Sequence, residues 1–81
     1  MTTVSSAAYT TNDLGARIRY YRENAGISRE QAAVHSGRSL SAVRDWELNQ
    51  RMPSRLQLVR LAKLFGVTLT DLTGTTDEEP Q

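Results

Sequence analysis

A nine-residue segment, residues 40–48 with the sequence LSAVRDWEL, mixes side chains that suit a core with side chains that can bind a polar surface. At about 100° per residue, a helix places Val43 and Trp46 on one face. The opposite face then carries Leu40, Ser41, Arg44, Asp45 and Leu48. Such a mixture suits base-pair edges: Arg pairs with guanine, Asp accepts from the cytosine amine, Ser bonds to either, and aliphatic groups contact the thymine methyl. We therefore predict base contacts from Leu40, Ser41, Arg44 and Asp45.

The residues before this segment predict a second short helix and a tight turn that position it. Ser28 and Gln31 have the S-x-x-Q spacing of a capping box, which predicts a helix over residues 29–36. Gly37 can adopt the left-handed conformation that ends such a helix, and Ser39 can cap the next one. Two helices joined by a short Gly-containing turn are typical of a helix-turn-helix.

Three further helices complete the predicted fold. They cover residues 13–25 after an N-cap at Asn12, residues 54–65 after Pro53, and a short segment that begins at the capping-box spacing of Thr68 and Asp71. The spacing of apolar residues in the first helix predicts that Leu14, Ile18, Tyr21 and Ala25 lie in the core. In the fourth helix it predicts core positions for Leu58, Val59, Ala62 and Phe65, with Leu56 and Leu64 directed away from the core. No segment predicts a strand. The expected fold class is all-α, a compact bundle of five short helices.

Length and composition exclude several classes of protein. Eighty-one residues suffice for one small domain. The absence of Cys excludes disulfides and Cys-based metal sites, and a single His35 excludes a His cluster. No apolar run approaches the roughly 20 residues that span a bilayer, and the first residues lack the features of a signal peptide, so we expect a cytoplasmic protein. We expect no cofactor, metal or small-molecule ligand.

The residues also argue against an enzyme. His35 and Ser36 are neighbours in one helix, so their side chains diverge, and no Gly-rich phosphate loop follows a strand. His35 is more simply explained as a surface residue.

The charge is distributed unevenly along the chain. The net charge is +1, but residues 12–72 carry ten Lys/Arg against six Asp/Glu, which gives +4, and the last five residues carry three acids. This fits a modest phosphate-binding surface. We expect a flexible arm over residues 1–11, a folded domain over residues 12–72, and a disordered acidic tail or linker over residues 73–81.

Residues 13–72 resemble the phage Cro/repressor helix-turn-helix family, also called the Xre family. The features that carry the resemblance occur in order: Arg22 in the first helix, S-x-E-Q-x-A at the start of the second, Gly37 in the turn, Trp46-Glu47 closing the third, Pro53 before the fourth, then Phe-Gly-Val and T-x-x-D. The resemblance implies a lambda-repressor-like fold in which the second helix crosses the DNA backbone and the third, the recognition helix, enters the major groove.

The resemblance also implies roles for individual residues. It pairs Arg22 with Glu47, and the helical spacing also places Glu47 on the inward face of its helix. The alternative is that Arg22 is a solvated surface residue. Asn49 stands where relatives carry Gly, so we expect a left-handed conformation there. The resemblance implies DNA-backbone contacts for Arg29, Gln50 and Arg51. We also expect such contacts from Ser39 and from Arg38, which stands where relatives usually carry an apolar residue. Arg29 could instead contact a base at the outer edge of the site. Arg38 could instead be a solvated residue of the turn.

These expectations together predict a sequence-specific DNA-binding regulator of transcription, a repressor of bacterial or phage type. Its partner would be double-stranded DNA with an inverted-repeat operator, bound by a weak homodimer or a dimer formed on DNA. A symmetric contact would use Leu56, Leu64, Leu69 and Leu72, unless these are ordinary exposed leucines. The alternative function is an Xre-like protein-interaction or antitoxin-type module. Salt dependence of DNA binding distinguishes the two.

Overall fold

The computed structural model describes residues 13–74, and these form five helices and no strand. The helices are α1 (Leu14–Asn24), α2 (Arg29–Ser36), α3 (Leu40–Glu47), α4 (Arg55–Phe65) and α5 (Leu69–Thr73). This confirms the predicted all-α bundle of five short helices. The arm expected over residues 1–11 and the tail from residue 75 onward lie outside the described residues.

Helix boundaries follow from local capping chemistry. Reciprocal capping boxes begin α2, α4 and α5; the box of α2 joins Ser28 and Gln31 as predicted, and that of α5 joins Thr68 and Asp71. Gly37 ends α2 in the left-handed conformation, with φ of 76°. Because each cap satisfies backbone groups that the helix leaves open, these ends are encoded by a few neighbouring residues.

Two predicted boundaries are wrong. The N-cap of α1 is Asp13 rather than Asn12, because the Asp13 side chain accepts from the Ala16 N–H at 3.0 Å. Thr73 was assigned to the tail, yet it is the last residue of α5, and the left-handed Gly74 caps that helix.

The core lies between the helices and is centred on Ile18, Val43, Trp46 and Leu61, all at most 2% exposed. The apolar stripe of α4 is rotated from the prediction. The buried residues of α4 are Leu61, Ala62 and Phe65. Leu58 and Leu64 are partly buried and pack against the core, whereas Val59 is half-buried outside it. Ala25 was also misassigned, since it is the exposed C-cap of α1.

The short helix α5 is a core element. Leu72 is fully buried, so it cannot contribute to the symmetric surface contact suggested by the sequence; Leu69 and Leu64 are half-buried, and Leu56 is exposed. Arg17 of α1 is also buried, and its Nη2 donates to the Asp71 carbonyl at 2.8 Å. Both contacts join α5 to the rest of the domain.

Candidate nucleic-acid interface

The helix α3 is held at both ends before any tertiary contact is considered. Ser39 caps its start by accepting from the Ala42 N–H at 3.1 Å. Past its other end, Gln50 donates its N–H to the Asp45 carbonyl at 2.8 Å, and Asn49 adopts the predicted left-handed conformation with φ of 61°. The helix is therefore a fixed unit joined to α2 by the Gly37 turn.

One side of α3 is buried as the angular spacing predicts. Ala42 and Val43 are fully buried, Trp46 is 2% exposed and Glu47 is 8% exposed. A close backbone approach to α1 makes this docking tight: a Cβ added to Gly15 would lie 2.4 Å from the Glu47 carbonyl oxygen. Only glycine fits at that position without displacing backbone.

Asn49 adds a second connection between α1 and the end of α3. Its Oδ1 accepts from the Gly15 N–H at 3.0 Å, and its Nδ2 donates to Asp13 Oδ1 at 2.6 Å. The hydrogen bonds that the Asp13 carboxylate accepts from the Ala16 N–H and from Asn49 Nδ2 lower the pKa of Asp13, because they stabilise its charged form. The sequence predicted the backbone of Asn49 but not this side-chain role, nor the close approach of Gly15, because the residues involved are more than 30 positions apart.

The other side of α3 is open to solvent. We call Leu40, Ser41, Arg44 and Asp45 the reading surface; the first three are exposed and Asp45 is half-buried. Within residues 13–74, the side chains of Ser41 and Arg44 make no hydrogen bond or ion pair. No other described part of the chain covers this surface, so it is free to contact a ligand.

Asp45 is paired within the protein. Its Oδ2 lies 3.4 Å from Arg51 Nε, and the two side chains are 32% and 50% exposed. The pair therefore joins a predicted base contact to a predicted backbone contact. Because Arg51 offsets the carboxylate, the anion beside Arg44 is less of an obstacle to a phosphate-rich ligand than its charge alone suggests.

Two arginines meet the buried carboxylate of Glu47, which is 3% exposed as a side chain. Arg22 binds it from the core, with Nε 2.6 Å from Oε2 and Nη2 3.3 Å from Oε1. Arg29 of α2 donates its Nε to Oε1 at 3.0 Å. The ion pair expected between Arg22 and Glu47 is thus present, and Arg29, which the resemblance assigned to the DNA backbone, adds a second partner that the sequence did not reveal.

The remaining residues predicted to contact the DNA backbone lie at the two ends of α3. Arg38 and Ser39 are exposed in the turn before it, and Gln50 and Arg51 are exposed in the loop after it. The Ser39 oxygen accepts the capping hydrogen bond, which leaves its hydroxyl hydrogen able to donate to a phosphate. These positions flank the reading surface on both sides.

The described residues also bear on metal binding and on membrane crossing. Within them, no three His, Cys, Asp or Glu side chains come together as metal ligands. None of the helices in residues 13–74 has the length and apolar content needed to cross a bilayer.

A capped two-helix unit, with its second helix buried on one side and open on the other, is the arrangement by which a helix-turn-helix domain places a recognition helix in the major groove. Residues 18–72 match the helix-turn-helix family, and the chain belongs to that family. It is therefore a DNA-binding protein of the transcription-regulator class.

One curated relative is the uncharacterized HTH-type transcriptional regulator y4dJ of Sinorhizobium fredii. It is 30% identical over 67 residues, which cover 83% of this chain and 87% of the relative. No solved structure matches the chain.

Proposed function

We propose that the protein is a sequence-specific regulator of repressor type, which inserts α3 into the major groove of an operator. The observation that carries this proposal is the open reading surface opposite a buried helix face. A recognition helix must be fixed to its domain and exposed along its length, and α3 has both properties. The name of the relative, an HTH-type transcriptional regulator, supports the same function.

Arg44 has the central role in this proposal. It is exposed and makes no ion pair within residues 13–74, so its guanidinium is free for a bidentate contact to guanine. Leu40 can contact a thymine methyl group, and Ser41 can bond to any base. Asp45 can accept from a cytosine amine, but it must first exchange its partner Arg51 for the base.

Phosphate contacts come from Arg38, Ser39, Gln50 and Arg51 in the proposed complex. They lie before and after α3, where the two DNA strands border the groove. Such contacts fix the orientation of the protein on the duplex without reading sequence. Each phosphate that is neutralised should contribute a slope of about −0.9 to the dependence of log affinity on log salt.

We further propose that two copies bind an inverted repeat, with half-sites about one helical turn apart. A single domain of this size buries a small interface with DNA, so two copies give the affinity that a regulator needs. Leu56 is 57% exposed and remains available for a contact between copies. A bacterial or phage regulator of this kind acts in the cytoplasm, where the DNA is.

The test is selection of binding sites from random duplex DNA, followed by binding measurements on the recovered site. We expect an inverted repeat, and we expect Arg44→Ala to lose about 1–3 kcal/mol of specific binding together with the preference at one base pair. Lys63→Ala is the matched control, because it removes an exposed cation of α4 and should leave every base preference intact. Recovery of no sequence would contradict the proposal and favour the protein-interaction module.

A further inference from the structure

Arg29 is held against a buried carboxylate. Its Nε lies 3.0 Å from Glu47 Oε1, and its side chain is 39% exposed while that of Glu47 is 3% exposed. The inner end of the guanidinium is therefore anchored on a buried carboxylate, and the outer end reaches solvent. Among the described residues, Glu47 is the ion-pair partner of Arg29.

The position of Arg29 connects it to the reading surface. An open depression of about 560 Å³ between α2 and α3 is lined by Arg29, Leu40 and Arg44. A second one of about 130 Å³ is lined by Arg29, Arg44 and Leu48. Arg29 and Arg44 thus border the same two hollows, so a group that reaches Arg44 in the groove also comes close to Arg29.

The anchor also determines which atoms of Arg29 are available. Because Nε donates to Glu47, the two terminal amino groups remain for a ligand, and they form the planar fork that matches two adjacent acceptors. Arg22 already balances the charge of Glu47, so Arg29 keeps its positive charge for a ligand. Holding the fork in one orientation lowers the rotamer entropy that binding must remove.

We propose that Arg29 is a second base-reading residue, which recognises the O6 and N7 of a guanine beside the base pair read by Arg44, and that Glu47 is its positioning residue. This inference rests on the proposed function. An oriented fork can bind either a phosphate or a base edge in bidentate fashion. The position of Arg29 is therefore the feature that favours a base, because it borders both hollows together with Arg44 of the reading surface.

The test replaces each guanine of the selected operator in turn by 7-deazaguanine, which lacks the N7 acceptor, and measures affinity by anisotropy. With the wild-type protein we expect losses of roughly 5- to 150-fold at two guanines per half-site. Arg29→Ala removes every donor of that side chain, so it should abolish the sensitivity at one of them. Arg44→Ala should abolish the sensitivity at the other. Arg38→Ala is the matched control, because Arg38 is an exposed arginine without such an anchor, and it should change neither.

The outcomes separate the inference from the function on which it rests. If Arg29→Ala retains sensitivity at every guanine that the wild type reads, Arg29 reads no guanine and the inference is wrong. If the wild type shows no preference among duplexes, the proposed function fails instead.

Glu47→Gln tests the positioning role. We expect it to reduce the preference at the guanine of Arg29 and to leave the preference at the guanine of Arg44, whereas a purely structural residue would weaken both together. Circular dichroism shows whether this variant is folded. Should it be unfolded, Arg29→Ala decides the question alone, since Arg29 is partly exposed and its replacement leaves the buried pair of Arg22 and Glu47 intact.

Discussion

Replacing Glu47 by Ala should destabilise the domain severely, because it leaves the buried guanidinium of Arg22 without its buried counter-charge. The side chains of Arg22 and Glu47 are only 8% and 3% exposed, and two hydrogen bonds join them. Without the Glu47 carboxylate, Arg22 keeps the Ile27 carbonyl, which its Nη1 reaches at 2.9 Å. Its remaining acid is Glu23, whose Oε2 lies 3.7 Å from Arg22 Nη2 and whose side chain is 54% exposed, so solvent weakens that attraction.

The expected cost can be compared with the stability of a domain of this size. Removing one partner of a buried pair costs about 3–5 kcal/mol. At 0.05–0.15 kcal/mol per residue, the whole chain has a stability of about 4–12 kcal/mol. At roughly 4–8 °C per kcal/mol, the midpoint of thermal unfolding should fall by about 12–40 °C.

Glu23→Ala is the matched control for this measurement. Glu23 pairs with Arg19 at 3.0 Å and lies 3.7 Å from Arg22 Nη2, but the side chains of Glu23 and Arg19 are 54% and 58% exposed. An exposed pair contributes at most about 1 kcal/mol, so this variant should melt within a few degrees of the wild type. The comparison separates the effect of burial from the effect of losing a carboxylate.

The assay is urea unfolding followed by circular dichroism, with a third variant that removes both charges. Arg22→Met combined with Glu47→Leu should recover part of the stability lost by Glu47→Ala, because no buried charge then lacks a partner. Equal costs for Glu47→Ala and Glu23→Ala would refute the reasoning. A double variant no more stable than Glu47→Ala would show that the loss does not come from the unbalanced charge.

Four further changes test the surroundings of the reading surface. Gly15→Ala should lower the unfolding free energy by about 1–3 kcal/mol although Ala is the better helix former, since its Cβ would collide with the Glu47 carbonyl; an unchanged melting temperature would contradict this close approach. Asn49→Gly should be more stable to urea than Asn49→Ala, because both lose the side-chain hydrogen bonds but only Gly accepts a φ of 61° freely; equal stability would count against backbone strain. Because the pKa of Asp13 is lowered, its carboxylate stabilises the fold above its ordinary pKa, and this stabilisation is lost as pH falls through the lowered value. Asp13→Asn should therefore lose less unfolding free energy than the wild type between about pH 5 and pH 2. Parallel curves of stability against pH would exclude this contribution. Asp45→Asn should tighten non-specific DNA binding at low salt and match the wild type at high salt; weaker binding at low salt would show that the carboxylate helps rather than opposes the complex.

Local chemistry made most of the fold predictable. The helix α2 has the predicted limits, and its capping box and left-handed Gly37 lie where the sequence placed them. The buried and open faces of α3 also follow from angular spacing, because the helix is short, well capped and strongly two-sided. The reading surface itself could therefore be proposed from nine residues.

Features that depend on distant contacts were not predictable from spacing. Leu72 belongs to a five-residue helix, which is too short to show a periodicity, and only the packing of α5 shows that it is buried. From the sequence alone Arg17 resembles a surface cation, but in the structure it donates to the carbonyl of Asp71 in α5, 54 positions away. The contact of Arg29 with Glu47 likewise spans 18 positions and joins two helices. Each of these depends on the relative placement of helices.

The shared carboxylate of Glu47 has a consequence for how such a protein can change its target. Arg22 and Glu47 neutralise each other, so replacing Arg29 by an uncharged residue leaves no buried charge exposed to the core. Replacing Glu47 alone does leave one, the guanidinium of Arg22, whereas replacing Arg22 alone leaves Glu47 paired with Arg29. A substitution that alters operator preference can therefore occur at Arg29 in a single step, while Glu47 is expected to change only together with Arg22.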